Sequence, residues 1–234
     1  VATQLASLQS TSAPHIDFPW ITIFAGDHGV MEEQISAYPQ AVTRQMLQNF
    51  TSGGACISVM AKHYGAHLQV IDCGSVGEAY AYAGVECHSI MQGTQNFAKT
   101  TAMSTEQCMA AMQLGYQSVE KAMAQKASIY VAGEMGIGNT CSASALACLL
   151  LNESEEALTG VGTRIKQEQL IRKKQVIQQA ITLHQDWAGD DAFKILCAVG
   201  GLEIAAMVGA YIRCAQRGLA ILVDGFISTA AALI

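Results

Sequence analysis

The chain has 234 residues, of which 51% are hydrophobic and 14% charged, with a formal net charge of −6. A chain of this length buries one large core, and charge this sparse, against about 25% in ordinary domains, leaves a surface suited to a subunit interface. With no Lys/Arg run and no apolar run near the roughly 20 residues of a bilayer span, nucleic acid and membranes are excluded as partners, while a small anionic ligand is not.

The eight cysteines form no CxxC pair and have no His at ligand spacing. They read as reduced packing thiols of a cytoplasmic protein, with Cys141 set apart by its place in the first turn of a helix, where a thiol can become reactive. Residues 1–19 carry neither the basic flank nor the apolar block of a signal peptide and no initiator Met, so they read as an incomplete segment.

In chain order, residues 20–25 predict a buried strand that ends in the turn Gly26-Asp27-His28-Gly29-Val30. Tyr38-Pro39 opens a helix with Val42, Met46, Leu47 and Phe50 at helical spacing, which Gly53-Gly54 interrupts before Ile57, Met60 and Ala61 continue it. Residues 68–74 predict a second strand, and residues 75–93, rich in Gly, Tyr and Ala, read as irregular. Ser104 and Thr105 are N-cap candidates for a helix to residue 125, and residues 128–132 predict the next strand.

That strand hands over to a helix, residues 141–151, through Gly133-Glu134-Met135-Gly136-Ile137-Gly138-Asn139-Thr140. Glycines at alternate positions let backbone turn tightly and approach a ligand, and the N–H groups of a first helical turn suit an anion, a phosphate above all. Glu134 gains nothing from a phosphate, so it is expected to face a sugar hydroxyl or a cationic centre; the plain alternative is an ordinary turn with a surface carboxylate. Beyond a polar stretch, Gly160-Val161-Gly162-Thr163-Arg164 forms a third small-residue segment before a helix over 167–187, which carries Lys173. Lys173 either lies solvated on that helix or folds back toward Gly136 and Gly138; spacing does not decide. Residues 193–199 read as a strand leading to Gly200-Gly201-Leu202-Glu203, followed by a helix to 216, a strand over 219–223, Asp224-Gly225-Phe226 and an apolar helical element to 234 that lacks any C-cap, as expected of a chain that continues.

Acids thus recur beside glycine at strand tips: Asp27, Glu134, Glu203 and Asp224. One alone is an ordinary turn residue, but four converging on the carboxyl edge of a parallel sheet make a polar cleft. Asp27-His28 reads either as a locally bonded turn or as an acid/base or metal pair.

Taken together, the 26–30 and 133–140 strings, Ser36-Ala37-Tyr38-Pro39 with Val42-Thr43 and Gln45-Met46, Gly93-Thr94-Gln95-Asn96-Phe97, Gly200 to Met207 and Asp224-Gly225-Phe226-Ile227 resemble, in order and over nearly the whole chain, the nicotinate-nucleotide:dimethylbenzimidazole phosphoribosyltransferase family. The resemblance implies a Rossmann-like parallel α/β sheet flanked by helices, with a small helical domain built from both chain ends: residues 1–19 would belong to it, and residues 20–234 to the phosphoribosyl-transfer domain, incomplete at its C-terminus. It implies a homodimer with neither metal nor cofactor that moves the phosphoribosyl group of nicotinate mononucleotide to dimethylbenzimidazole with inversion. By the same resemblance Glu134 faces the ribose, Gly136, Gly138, Asn139 and Lys173 hold the 5′-phosphate, and Gly162, Glu203 and Asp224 join the substrate site. Ser36, Tyr38, Gln45 and Met46 would line the benzimidazole pocket, and the general-base Glu is expected in a C-terminal region beyond residue 234. Val161 and Arg164 depart from the family's Gly-Arg-Gly-Thr-Gly pattern in the third loop. Two alternatives stay open: a nucleotide-binding relative that lacks the catalytic base, and a pyrophosphate-donor phosphoribosyltransferase, against which stands the absence of an acid pair at a strand end, since Asp190-Asp191 falls in a helix-to-strand connection.

Overall fold

A computed structural model describes residues 1–162 and 165–234. In chain order the elements are α1 (Ala2–Gln9), β1 (Pro19–Gly26), α2 (Ala41–Ser52), α3 (Cys56–His63), β2 (His67–Gly74), β3 (Val85–Cys87), α4 (Thr105–Ala124), β4 (Ile129–Met135), α5 (Asn139–Leu151), α6 (Glu155–Leu158), α7 (Gln167–Ala188), α8 (Ala192–Val199), α9 (Leu202–Arg217), β5 (Ala220–Leu222) and α10 (Phe226–Ala232). All strand pairings are parallel, in the order β3-β2-β1-β4-β5. Strand order therefore reverses between β1 and β4, where open α/β sheets leave a crevice at the carboxyl ends of their strands.

The period-two alternation of β1 builds both faces. Trp20 and Phe24 enter the main core with Tyr130, Ala132 and the α4, α5, α7, α8 and α9 side chains, while Ile21, Ile23 and Ala25 pack with Leu47, Phe50, Ala61 and Val70 under α2 and α3. Glu134 shares the face of Tyr130 and Ala132, the one covered by α9. No helix among the described residues is long and apolar enough to cross a membrane.

Several elements differ from the sequence reading. The apolar run at 193–199 is the helix α8, capped by Asp191, whose carboxylate accepts from the Phe193 and Lys194 N–H groups at 3.0 and 3.1 Å. A short apolar run with no alternation is ambiguous between buried strand and buried helix, and the Asp cap decides it. The stretch read as irregular holds β3. The Ser104 cap forms as expected, as a box: its Oγ accepts from Gln107 N–H at 3.2 Å and the Gln107 side chain accepts from Ser104 N–H at 2.8 Å.

α4 and α9 lie against each other without a side-chain layer at two points. A Cβ on Gly115 would fall 1.8 Å from the Ala206 carbonyl oxygen, and one on Gly209 2.0 Å from that of Met112. Both contacts are backbone, so a methyl group there must separate the helices. Gly115→Ala is expected to cost about 3 kcal/mol, read as a lowered urea midpoint with an unchanged m-value; an unchanged midpoint contradicts the close approach.

Candidate active site

The carboxyl ends of β1 and β4 carry the candidate site. After β1 the chain passes Asp27 and His28, both fully buried, and the two side chains diverge rather than pair. Asp27 accepts from Thr43 Oγ1 at 2.6 Å and Val76 N–H at 2.8 Å, tying α2 and the loop after β2 to the end of β1. Burial raises its pKa against those bonds. His28 crosses to α9, its Nε2 2.7 Å from Glu203 Oε1. Glu203 stands at the second position of α9 rather than at a strand tip, since α8 precedes it, and an acid in a first helical turn complements the helix dipole.

Glu134, on β4 opposite Phe24, is half-buried and accepts a hydrogen bond from Asn139 Nδ2 across the glycine turn. Burial first, then the charge of Glu203, pushes its pKa up to about 7, against the Asn139 bond and His28. The turn closes tightly because a Cβ at Gly136 would meet the Gly26 carbonyl oxygen at 2.3 Å, and Gly138, with φ +103°, occupies the left-handed region. Gly138 is the N-cap of α5 and offers no side-chain oxygen to its first turn.

Lys173 folds back toward that turn. It is 2% exposed, and its Nζ donates to Thr140 Oγ1 at 2.9 Å and the Gly160 carbonyl at 3.3 Å. Both acceptors are neutral, and among the described residues no carboxylate pairs with it. Burial lowers its pKa. Gly162, with φ +52°, sits over this contact: a Cβ there would lie 2.9 Å from Thr140 Oγ1 and 3.5 Å from the ammonium. Lys173, Ser36, Gly136, Gly138, Asn139 and Thr140 line one cavity of about 20 Å³, room for a water molecule. A far larger depression, about 980 Å³, runs along α7 past Leu170, Lys174 and Leu183, but it lacks the convergent buried polar groups that mark a site.

Other residues singled out in the sequence lie apart. Gln45 and Asp224 are exposed, Tyr38 is 50% exposed, and Met46 packs in the core under α2. None of these four lines the cavity. Val161 lies on its rim, whereas Arg164 is outside the described residues. Cys141 is fully buried and its thiol is pushed up to about 12, which makes it a packing residue. Thr140 and Thr43, which hold Lys173 and Asp27, fall within the motif strings but carry no role of their own in the sequence reading.

A glycine turn at the switch point of a 3-2-1-4-5 parallel sheet, with a buried ammonium beside it, defines a Rossmann-like α/β protein. Within that class the chain belongs to the phosphoribosyltransferase family whose model, DBI_PRT, matches residues 1–234. It is 50% identical over 234 residues to the nicotinate-nucleotide–dimethylbenzimidazole phosphoribosyltransferase of Pseudomonas fluorescens (strain SBW25), covering all of this chain and 66% of that protein. It is 47% identical over 233 residues to the protein of the same name from Pseudomonas aeruginosa (strain LESB58), again 66% of the relative. The chain thus spans just under two thirds of these relatives' length. The crystal structure of CobT from Thermus thermophilus superposes with a TM-score of 0.93 at 39% identity, over 99% of this chain and 69% of that one.

Proposed function

We propose that the protein transfers the phosphoribosyl group of nicotinate mononucleotide to 5,6-dimethylbenzimidazole, giving α-ribazole 5′-phosphate and nicotinate with inversion at the anomeric carbon. The observation that carries this reading is the buried, unneutralised Lys173 at the glycine turn that also presents Glu134. An ammonium out of water without a carboxylate is costly, and a 5′-phosphate supplies the missing charge. The names of the relatives support the same substrates.

In this reading the glycosidic bond to the cationic nicotinate ring breaks, its electron pair goes to the ring nitrogen, and positive charge moves onto the ribose. Glu134 is assigned the carboxylate that faces that charge, and electrostatic stabilisation of this kind acts strongly in a water-poor site. An azole nitrogen attacks C1′ from the opposite face. The other nitrogen of the azole ring then loses its proton to a base, the Glu expected in the region beyond residue 234. Ser36, Tyr38, Gln45 and Met46, on one segment, are assigned to the acceptor pocket, although Ser36 lines the cavity that also holds Lys173. The sparse surface charge supports a homodimer, with residues 1–19 assigned to the small helical domain and residues 20–234 to the transfer domain.

A carboxyl with a pKa of about 7 is half protonated at neutral pH. Only its ionised form stabilises a cation, so kcat/KM is expected to fall below an acid limb near pH 7. The bound cationic ring favours the carboxylate, so the limb in kcat lies at lower pH than the limb in kcat/KM. Coincident limbs, or none between pH 5 and 8, contradict this role for Glu134. The proposal is tested by following nicotinate release from nicotinate mononucleotide in a protein of the relatives' full length, with and without dimethylbenzimidazole.

A further inference from the structure

A phosphate at Gly136-Ile137-Gly138 needs that turn held in one shape, yet glycine on each side of Ile137 gives the backbone wide freedom. One peptide plane of the turn is fastened at both ends. The Ile137 N–H donates to Thr43 Oγ1 at 3.3 Å, and the Gly136 carbonyl, in the same plane, accepts from Asn139 N–H at 3.1 Å. The following amide, Gly138 N–H, has no backbone partner among the described residues, and Gly138 lines the cavity that Lys173 shares. Thr43 itself does not line that cavity, so it meets the turn from behind.

Asp27 aims the Thr43 hydroxyl. The single hydroxyl proton goes to Asp27 Oδ1 at 2.6 Å, which leaves the oxygen lone pairs for the Ile137 amide. Asp27 is fixed in turn: its Oδ2 accepts from Val76 N–H at 2.8 Å, its N–H donates to the Gly74 carbonyl at 3.0 Å, and its carbonyl accepts from Thr94 N–H at 2.9 Å. Asp27 and Thr43 are 0% exposed and Ile137 5%, so bulk water does not replace a lost bond here. Valine matches threonine in shape, and only the hydroxyl distinguishes the two. We propose that Thr43 is a positioning residue of the donor site: aimed by Asp27, it fixes the Ile137 amide and keeps the glycine turn in the conformation that receives the phosphate. This role rests on the phosphoribosyl-transfer reading and adds to it a residue that acts through the turn rather than on the ligand.

An unfastened turn must be ordered at each binding event, a cost that falls on ground and transition states alike and therefore on KM. Thr43→Val is expected to weaken binding of inorganic phosphate about tenfold and to raise KM for nicotinate mononucleotide about tenfold. kcat should change by less than about threefold, because Glu134 is held in the ladder of β4. The test titrates inorganic phosphate into wild type, T43V and T43S of the relatives' full length, and measures hydrogen exchange at the Ile137 amide against amides of β1, so that a general loss of stability cancels. Weaker phosphate binding in T43V with faster exchange at Ile137, both restored by the serine hydroxyl, supports the proposal. Phosphate bound alike by wild type and T43V, weaker binding with Ile137 still protected, or T43S as weak as T43V overturns it and leaves Thr43 a packing residue. Where T43V does not fold, exchange in the wild type decides: an Ile137 amide protected before phosphate is added supports the fastened turn, and one protected only with phosphate overturns it. A wild-type protein that binds no phosphate refutes the donor site and the role of Thr43 with it, whereas equal binding by wild type and T43V refutes the role alone.

Discussion

Glu134→Gln is expected to lower kcat for phosphoribosyl transfer by about 10²- to 10³-fold, with little change in KM for nicotinate mononucleotide. The glutamine keeps the shape of the side chain and a carbonyl oxygen for the Asn139 Nδ2 donor that Glu134 now accepts from, so the glycine turn stays in place and only the charge is lost. In the ground state the positive charge sits on the nicotinate ring; in the transition state it spreads onto the ribose, nearer the carboxylate. The interaction is therefore stronger in the transition state, and its loss appears in kcat. The residual activity should also lose the acid limb near pH 7, because the group pushed up to about 7 is gone. Initial rates across pH 5 to 9 check both points. A variant whose KM rises while kcat holds would assign Glu134 to binding instead.

Lys173→Met should move activity and stability in opposite directions. The ammonium is 2% exposed and, among the described residues, bonded only to Thr140 Oγ1 and the Gly160 carbonyl, so the unliganded protein carries an incompletely compensated buried charge. Methionine fits the same volume without that cost, and the unliganded variant is expected to gain about 1 kcal/mol in urea denaturation. A charge-assisted contact to phosphate is lost at the same time, worth about 2 to 4 kcal/mol, or about 30- to 1000-fold in KM for nicotinate mononucleotide. Inorganic phosphate should stabilise the wild-type protein and leave the variant unaffected. Destabilisation of the unliganded variant, with KM unchanged, would make Lys173 a structural strut.

Much of the frame is legible in the residues. β1, β2, β4 and β5 are apolar runs bounded by glycine or acid, and the Ser104 box and the 3.6-residue spacing mark the starts and faces of the long helices. Residues 193–199 defeat the pattern because a helix buried from Ile195 to Val199 shows little of the polar face that periodicity needs; the Asp191 cap is the sign that distinguishes it. β3 escapes because three residues at a sheet edge carry too little pattern. At the site, Glu134 and the glycine turn stand out, since turn chemistry is local. Lys173 over Thr140 and His28 against Glu203 join residues 33 and 175 positions apart, and no local spacing announces them. Gly26, Gly136 and Gly201 mark where those side chains pass, but each reads alone as an ordinary turn glycine.

The most direct measurement supplies nicotinate mononucleotide and dimethylbenzimidazole to a protein of the relatives' full length and to its E134Q variant, and quantifies nicotinate and α-ribazole 5′-phosphate together. Equimolar release of both products by the wild type, with a loss of at least about a hundredfold in the variant, is the predicted result. Nucleotide that binds without yielding either product, or nicotinate released without the α-anomer, would contradict the transfer reaction and leave a nucleotide-binding relative.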